Sequence, residues 1–139
     1  MPETAKAAES PKPPARILVV EDEYLIRMLL EDMLSDIGHE VTATCGNLET
    51  AREAALAGGF DVAILDVNLE GQVVFPVAEI LAQQNLPFVF VTGYGEGALP
   101  EGLRDRPTLQ KPFQSEKLEA TLKSLLASAA NPEAPQAAS

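Results

Sequence analysis

Short apolar runs alternate along this chain with longer segments in which apolar residues recur every three or four positions. The short runs have the length of strands, and several are continuously apolar, as expected for strands covered on both faces. The predicted strands are Ile17–Val20, Glu40–Thr44, Val62–Leu65, Pro87–Val91 and Thr108–Gln110. Of these, Glu40–Thr44 has the mixed pattern of an edge strand.

The segments between the strands have the period of amphipathic helices. The first runs from Glu23 to Ile37 and stops at Gly38. Its apolar positions are Leu25, Ile26, Leu29, Met33, Leu34 and Ile37. Three further helices are predicted. The first is capped by Asn47 and ends at Gly58-Gly59, and the second covers Phe75–Gln84 behind a Gly71 turn. The last is capped by Ser115 and has an apolar stripe of Leu118, Leu122 and Leu125.

The segment 93–105 interrupts this regular alternation. It holds four glycines and one proline, so its helix is expected to be short, irregular or mobile. Five strands alternating with helices predict an α/β fold with an open, doubly wound parallel sheet. The flavodoxin-like strand order 2-1-3-4-5 fits this chain length best.

Polar residues follow four of the buried strands. Glu21 and Asp22 follow the first, Asp66 the third with Asn68 two residues on, Thr92 the fourth and Lys111 the fifth. Because ligand sites of such sheets lie beyond the carboxyl ends of the strands, we expect these side chains to converge. Taken singly, each has a plain structural role: helix cap, turn residue or solvated charge.

Together these residues suit a magnesium-dependent phosphoryl acceptor. Clustered carboxylates repel one another, and a hard divalent cation such as Mg²⁺ relieves that repulsion. We expect Asp22 and Asp66 to bind the ion directly, Glu21 to act through a water, and the Asn68 backbone carbonyl to complete the set. Asp66 is then the nucleophile. Lys111 and the Thr92 hydroxyl are placed to hold the transferred oxygens.

Charge and composition exclude several other classes. Lys and Arg number 10 against 21 Asp and Glu, a formal charge of −11, which argues against DNA binding. The single Cys45 excludes an internal disulfide and a cysteine zinc site. This cysteine usage makes a reduced, cytoplasmic setting the default expectation. No apolar run approaches the length of a membrane span. A monomer or a weak homodimer is expected. Residues 1–15 and 129–139 are predicted to be disordered tails around a domain at 16–128.

The motifs ILVVEDE (17–23), AILDVNL (63–69), VTG (91–93) and LQKPF (109–113) resemble the receiver domain of two-component response regulators. The resemblance implies an acyl phosphate on Asp66, taken from a sensor histidine kinase or a histidine phosphotransfer protein. It also implies Mg²⁺ dependence, a switch in which Thr92 turns toward the phosphoryl group, and often a cis Lys111-Pro112 peptide.

A narrower resemblance lies in PFVFVTGYG (87–95), which is similar to the PFxFATGY signature of a receiver subfamily associated with HWE-type kinases. Members are often stand-alone receivers. We expect this chain to signal by protein contact or as a phosphate sink. The chain departs from the pattern at Val91, where Ala is usual. It also has Thr108 where receivers often carry an aromatic switch residue, so we hypothesise that Tyr94 partly takes that role.

Two other classes of function stay open from the sequence. An Asp-nucleophile phosphatase would also use Mg²⁺, but such enzymes place the nucleophile after the first strand rather than the third. A phosphate-independent interaction module on the same fold would be expected to have lost its site residues, which are present here. The leading prediction is a phosphoryl acceptor rather than an enzyme acting on a separate substrate.

Overall fold

The computed structural model describes residues 14–93, 99, 101–103 and 105–130. Five parallel strands form the sheet: β1 (Arg16–Val20), β2 (Glu40–Cys45), β3 (Val62–Asp66), β6 (Phe88–Thr92) and β7 (Thr108–Gln110). Their order is β2-β1-β3-β6-β7, which confirms the predicted flavodoxin-like arrangement. Two short strands, β4 (Asn68–Leu69) and β5 (Gln72–Val73), form a separate antiparallel hairpin that the pattern analysis did not predict.

Four α-helices lie between and after the strands in the described part of the chain. They are α1 (Tyr24–Ile37), α2 (Leu48–Ala57), α3 (Phe75–Gln83) and α4 (Ser115–Ala130). Two apolar clusters cover the two faces of the sheet, one including α2 and α3 and the other including α1 and α4. The sheet is therefore buried on both sides, which explains its continuously apolar strands.

Local signals at the helix ends agree with most of the predicted boundaries. Gly38 ends α1 with a φ of 105°, a conformation that glycine adopts without steric cost. The Asn47 side chain accepts a hydrogen bond from the Thr50 amide at 2.9 Å and caps α2. The predicted Ser115 cap is wrong by one residue. The Gln114 carbonyl accepts the amides of Lys117 and Leu118, so Ser115 already lies inside α4.

The apolar positions of α1 are distributed differently from the prediction. Leu25 and Leu29 are 77% and 50% exposed, whereas Leu30 and Leu34 are fully buried. A helix against a sheet buries one stripe, and α1 carries more apolar residues than that stripe holds. The remainder form an exposed patch, here called the apolar face of α1, made of Tyr24, Leu25, Met28 and Leu29.

Between β6 and β7 the described residues contain one 3₁₀ turn, Glu101–Leu103. Residues 94–98, including Tyr94, lie outside the described part, as do 100 and 104. The predicted tails lie outside it over 1–13 and 131–139. Ala15 is buried beside β1, and α4 continues to Ala130. Among the described helices, none combines the length and the hydropathy needed to cross a membrane.

Candidate functional site

Neighbouring strands bring the predicted carboxylates together. Val20 of β1 pairs with Leu65 of β3, so the residues that follow each of them, Glu21 and Asp66, lie side by side. The Glu21 amide extends the β1–β2 ladder by donating to the Cys45 carbonyl at 2.9 Å. Carboxylate oxygens of Glu21, Asp22 and Asp66 all lie within 4.8 Å of one another. The sheet topology therefore brings Asp66 next to Glu21 and Asp22, two neighbouring acids that are distant from it in sequence.

Lys111, which follows the edge strand β7, also lies near these acids. Its amide donates to the Thr92 carbonyl at 2.8 Å, which places its side chain at the same edge. Lys111 Nζ lies 3.2 Å from Glu21 Oε1 and 3.5 Å from Asp66 Oδ2. The following Lys111-Pro112 peptide is cis, as the resemblance implied.

The two remaining described residues of the predicted site lie next to Asp66. The Asn68 amide donates to Asp66 Oδ1 at 3.4 Å. Val91 pairs with Asp66, and Thr92, one position further along β6, is partly buried at the strand end. Thr108 is exposed on β7. All the predicted site residues except Tyr94, which is outside the described residues, thus lie at this edge of the sheet.

The electrostatics of the cluster are unbalanced. Asp66 is only 3% exposed and Glu21 only 1%. Burial, with added repulsion from Glu21, raises the pKa of Asp66 to about 8, although Lys111 and the Asn68 amide oppose the rise. Burial lowers the pKa of Lys111, but the two carboxylates outweigh it and raise the pKa overall. One ammonium therefore does not neutralise the buried acids.

A polar pocket of about 240 Å³ opens onto these groups. It is lined by Asp22, Glu23, Asp66, Asn68, Glu70, Gly71 and Lys111. A larger groove of about 440 Å³ lies beside α2, away from the acidic cluster. The smaller pocket is therefore the candidate functional site, because it is lined by the charged side chains of Asp66 and Lys111.

The donor set fits a hard divalent cation. Oxygens of the three carboxylates lie within 4.8 Å of one another, and two of these residues, Asp22 and Asp66, line the pocket. In the described part of the structure the buried Glu21 Oε1 accepts no hydrogen bond of good geometry. Oxygen ligands with room for retained waters suit Mg²⁺. The positive charge would also relieve the repulsion that perturbs Asp66.

Several contacts that hold these acids in place were missed by the sequence reasoning. The Glu23 amide donates to Glu21 Oε2 at 3.1 Å, and Arg27 Nη1 donates to the Glu21 carbonyl at 2.8 Å. The Glu70 amide donates to Asp22 Oδ2 at 2.9 Å. Only the Gly71 turn left a signal in the sequence, because glycine next to a polar residue is typical of tight turns.

Comparison with known proteins yields one family. A family model described as the response regulator receiver domain matches residues 17–123. The transcriptional regulatory protein PdtaR of Mycobacterium tuberculosis is 36% identical over 104 residues, covering 72% of this chain and 51% of that protein. The sensory transduction protein LytT of Bacillus subtilis is 34% identical over 112 residues, covering 78% and 46%. The chain thus spans about half the length of these curated relatives.

Solved structures agree with the family match. The solution structure of SdrG from Sphingomonas melonis Fr1 has a TM-score of 0.74 and 44% identity, covering 81% of this chain and 97% of that one. The receiver domain of the Erythrobacter litoralis PhyR response regulator has a TM-score of 0.66 and 32% identity, covering 89% and 96%.

Proposed function

The chain belongs to the response regulator receiver domain family, and on that premise we propose that it accepts a phosphoryl group on Asp66. Receiver domains are generally phosphoryl acceptors in two-component signal transduction rather than enzymes acting on a separate substrate. The observation that carries the proposal is the placement of Asp66. Its carboxylate lies at the floor of an open pocket, beside two further acids and 3.5 Å from the Lys111 ammonium.

In the proposed reaction, an Asp66 carboxylate oxygen attacks the phosphorus atom of a phosphohistidine. A P–O bond forms, the P–N bond breaks, and the electron pair leaves with the imidazole nitrogen of the donor. Lys111 Nζ would bind one oxygen of the transferred group, and the Thr92 hydroxyl another. To do so, Lys111 Nζ would move away from its present partners, Glu21 and Asp66, while staying in the same pocket.

The proposed cofactor is Mg²⁺. Asp22 and Asp66 would hold it directly, Glu21 through a water, and the Asn68 backbone carbonyl would complete the protein ligands. When bound, the ion would offset negative charge on the phosphoryl oxygens and on the carboxylates. The convergence of the three acids within 4.8 Å supports this assignment.

The proposed phosphodonor is a sensor histidine kinase or a histidine phosphotransfer protein. The apolar face of α1 supports a protein donor, because α1 begins two residues after Asp22. A donor protein that inserted a histidine into the pocket would cover the apolar face of α1. The Leu25 and Leu29 side chains, which are exposed in the free chain, would be buried in that contact.

We further propose that the chain belongs to the subfamily with the PFxFATGY signature and that its donor is an HWE-type kinase. The PFVFVTGYG segment and the similarity to SdrG support this. Signalling would then proceed by protein contact or by withdrawing phosphoryl groups from a kinase.

Incubation with phosphoramidate or acetyl phosphate and Mg²⁺, followed by intact-mass analysis, tests the proposal. We expect one labile phosphoryl adduct per chain in wild type and none in Asp66→Asn. Asp61→Asn is the matched control, because Asp61 is an exposed carboxylate paired with Arg16 at 3.1 Å, and it should be labelled normally.

The other outcomes favour the alternative classes. Steady hydrolysis of a phosphoester would favour a phosphatase. A wild-type protein that gains no adduct from either donor would favour a phosphate-independent interaction module. Labelling that persists in Asp66→Asn would refute Asp66 as the acceptor.

A further inference from the structure

A tight hairpin between β3 and α3 borders the acidic pocket. In it Asn68 pairs with Val73 and Leu69 with Gln72, leaving Glu70 and Gly71 as a two-residue loop. Both loop residues have positive φ, 52° and 86°, as a type I′ turn requires. Leu69 is fully buried, so it anchors one strand of the hairpin in the core.

The loop of this hairpin contacts Asp22, a residue 48 positions earlier in the chain. The Glu70 amide donates to Asp22 Oδ2 at 2.9 Å. The turn itself is held by the Asn68 side chain, whose Oδ1 accepts the Gly71 amide at 2.8 Å. A chain of hydrogen bonds therefore runs from Asn68 through the turn to the Asp22 carboxylate.

We propose that the Glu70-Gly71 turn is a positioning element that holds the Asp22 carboxylate in the orientation needed to bind a divalent cation. The inference rests on the proposed metal site. By occupying Oδ2, the amide leaves the other carboxylate oxygen available and restricts a side chain that is only half-buried. Hydrogen bonds to ligating carboxylates orient them and raise metal affinity. Asn68 then acts through its side chain, in addition to any contribution from its backbone carbonyl.

Gly71 offers a substitution that disturbs the turn without a steric clash. A Cβ at Gly71 would meet no atom within 4 Å, so the effect of a side chain comes from the positive φ. Gly71→Val puts a β-branched residue where that φ is strongly disfavoured. Gly71→Asn introduces a side chain of similar size that tolerates the left-handed conformation, and it therefore controls for bulk at the pocket rim.

Gly59 provides the matched control for backbone strain. It has a φ of 91° and equally open surroundings, but it lies in the connection between α2 and β3, and Asp66 lies at the far end of that strand. Gly59→Val should lower stability as Gly71→Val does, without touching the hairpin.

Titration with Mn²⁺, monitored through the electron paramagnetic resonance signal of the free ion, measures the metal affinity of the site without phosphorylation. We expect Gly71→Val to weaken Mn²⁺ binding about tenfold. Gly71→Asn and Gly59→Val should bind as wild type does. Urea unfolding in EDTA checks that each variant is folded at the temperature of the titration.

The outcomes separate this inference from the proposed function. Equal or tighter Mn²⁺ binding by Gly71→Val would overturn the positioning role while leaving the metal site intact. Equal weakening by Gly59→Val would overturn it too, since general strain would then suffice. Absence of Mn²⁺ binding by wild type would overturn both the metal site and the positioning role.

Discussion

Replacing Asp66 by Asn should stabilise the metal-free protein, although Asp66 is the residue on which the proposed function depends. An Asp carboxyl ordinarily has a pKa of 3.8, and burial beside Glu21 raises that of Asp66 to about 8. The folded chain therefore binds this proton more tightly than the unfolded chain does. The contribution of Asp66 to stability is complete below pH 3.8 and is lost as the pH rises through about 8.

The size of the effect follows from the same pKa difference. Roughly three pH units separate the unfolded pKa from pH 7, and each is equivalent to about 1.4 kcal/mol, so about 4 kcal/mol is an upper limit. Rearrangement of the Lys111 ammonium and of pocket water relieves part of this cost. We expect Asp66→Asn to raise the free energy of unfolding by about 2 kcal/mol at neutral pH. For a domain of this size that corresponds to an increase of about 8 °C in Tm.

Urea unfolding followed by circular dichroism in EDTA, between about pH 5 and pH 8, measures this difference. The advantage of Asp66→Asn should grow with pH, and Mg²⁺ should reduce it by stabilising wild type more than the variant. Asp61→Asn is the control, because it removes an exposed carboxylate whose pKa its partner Arg16 lowers. An Asp66→Asn protein no more stable than wild type at the upper end of this range would refute the reasoning, as would a pH-independent difference.

Three further predictions use the same unfolding assay. Lys111→Met leaves the buried acids without their ammonium partner, so the free energy of unfolding in EDTA at the upper end of the pH range should fall by about 3 kcal/mol. Mg²⁺ should raise the free energy of unfolding of this variant more than it raises that of wild type. An unchanged free energy of unfolding would contradict the ion pairs. Asn47→Ala removes the cap of α2 and should lower the free energy of unfolding by about 1 kcal/mol, whereas Asn47→Asp keeps a capping oxygen and should retain most of that stability. Leu34→Ala, at a fully buried site, should cost about 3 kcal/mol, while Leu25→Ala, at a site 77% exposed, should stay within about 0.5 kcal/mol; similar losses at both would contradict the assigned face of α1.

The strands and the convergence of the site could be predicted because both follow from local pattern and general topology. Continuous apolar runs such as Ile17–Val20 indicate a sheet covered on both faces. Once that sheet is parallel, residues just after its strands must meet at one edge. Glu21, Asp66 and Lys111 were located in this way, without any knowledge of distances. Their chemical roles remain predictions.

Other features could not be predicted, because they depend on which groups the fold brings into contact. Periodicity gives α1 several apolar positions, yet only packing decides that Leu30 is buried and Leu25 exposed. The β4–β5 hairpin has strands of two residues each, too short for a period-two pattern to identify. Its contact with Asp22 joins residues 48 positions apart.

The sequence by itself determined the alternation of strands and helices, the order of the sheet and the list of polar residues at its carboxyl edge. These depend on side-chain period, turn residues and the handedness of crossovers, which act locally or apply to all such sheets. The tertiary structure alone decided how deeply Glu21 and Asp66 are buried and that Lys111 pairs with both. It also decided that the Glu70 amide holds Asp22. Burial and charge–charge distance depend on atoms from distant parts of the chain, and they are what raise the pKa of Asp66.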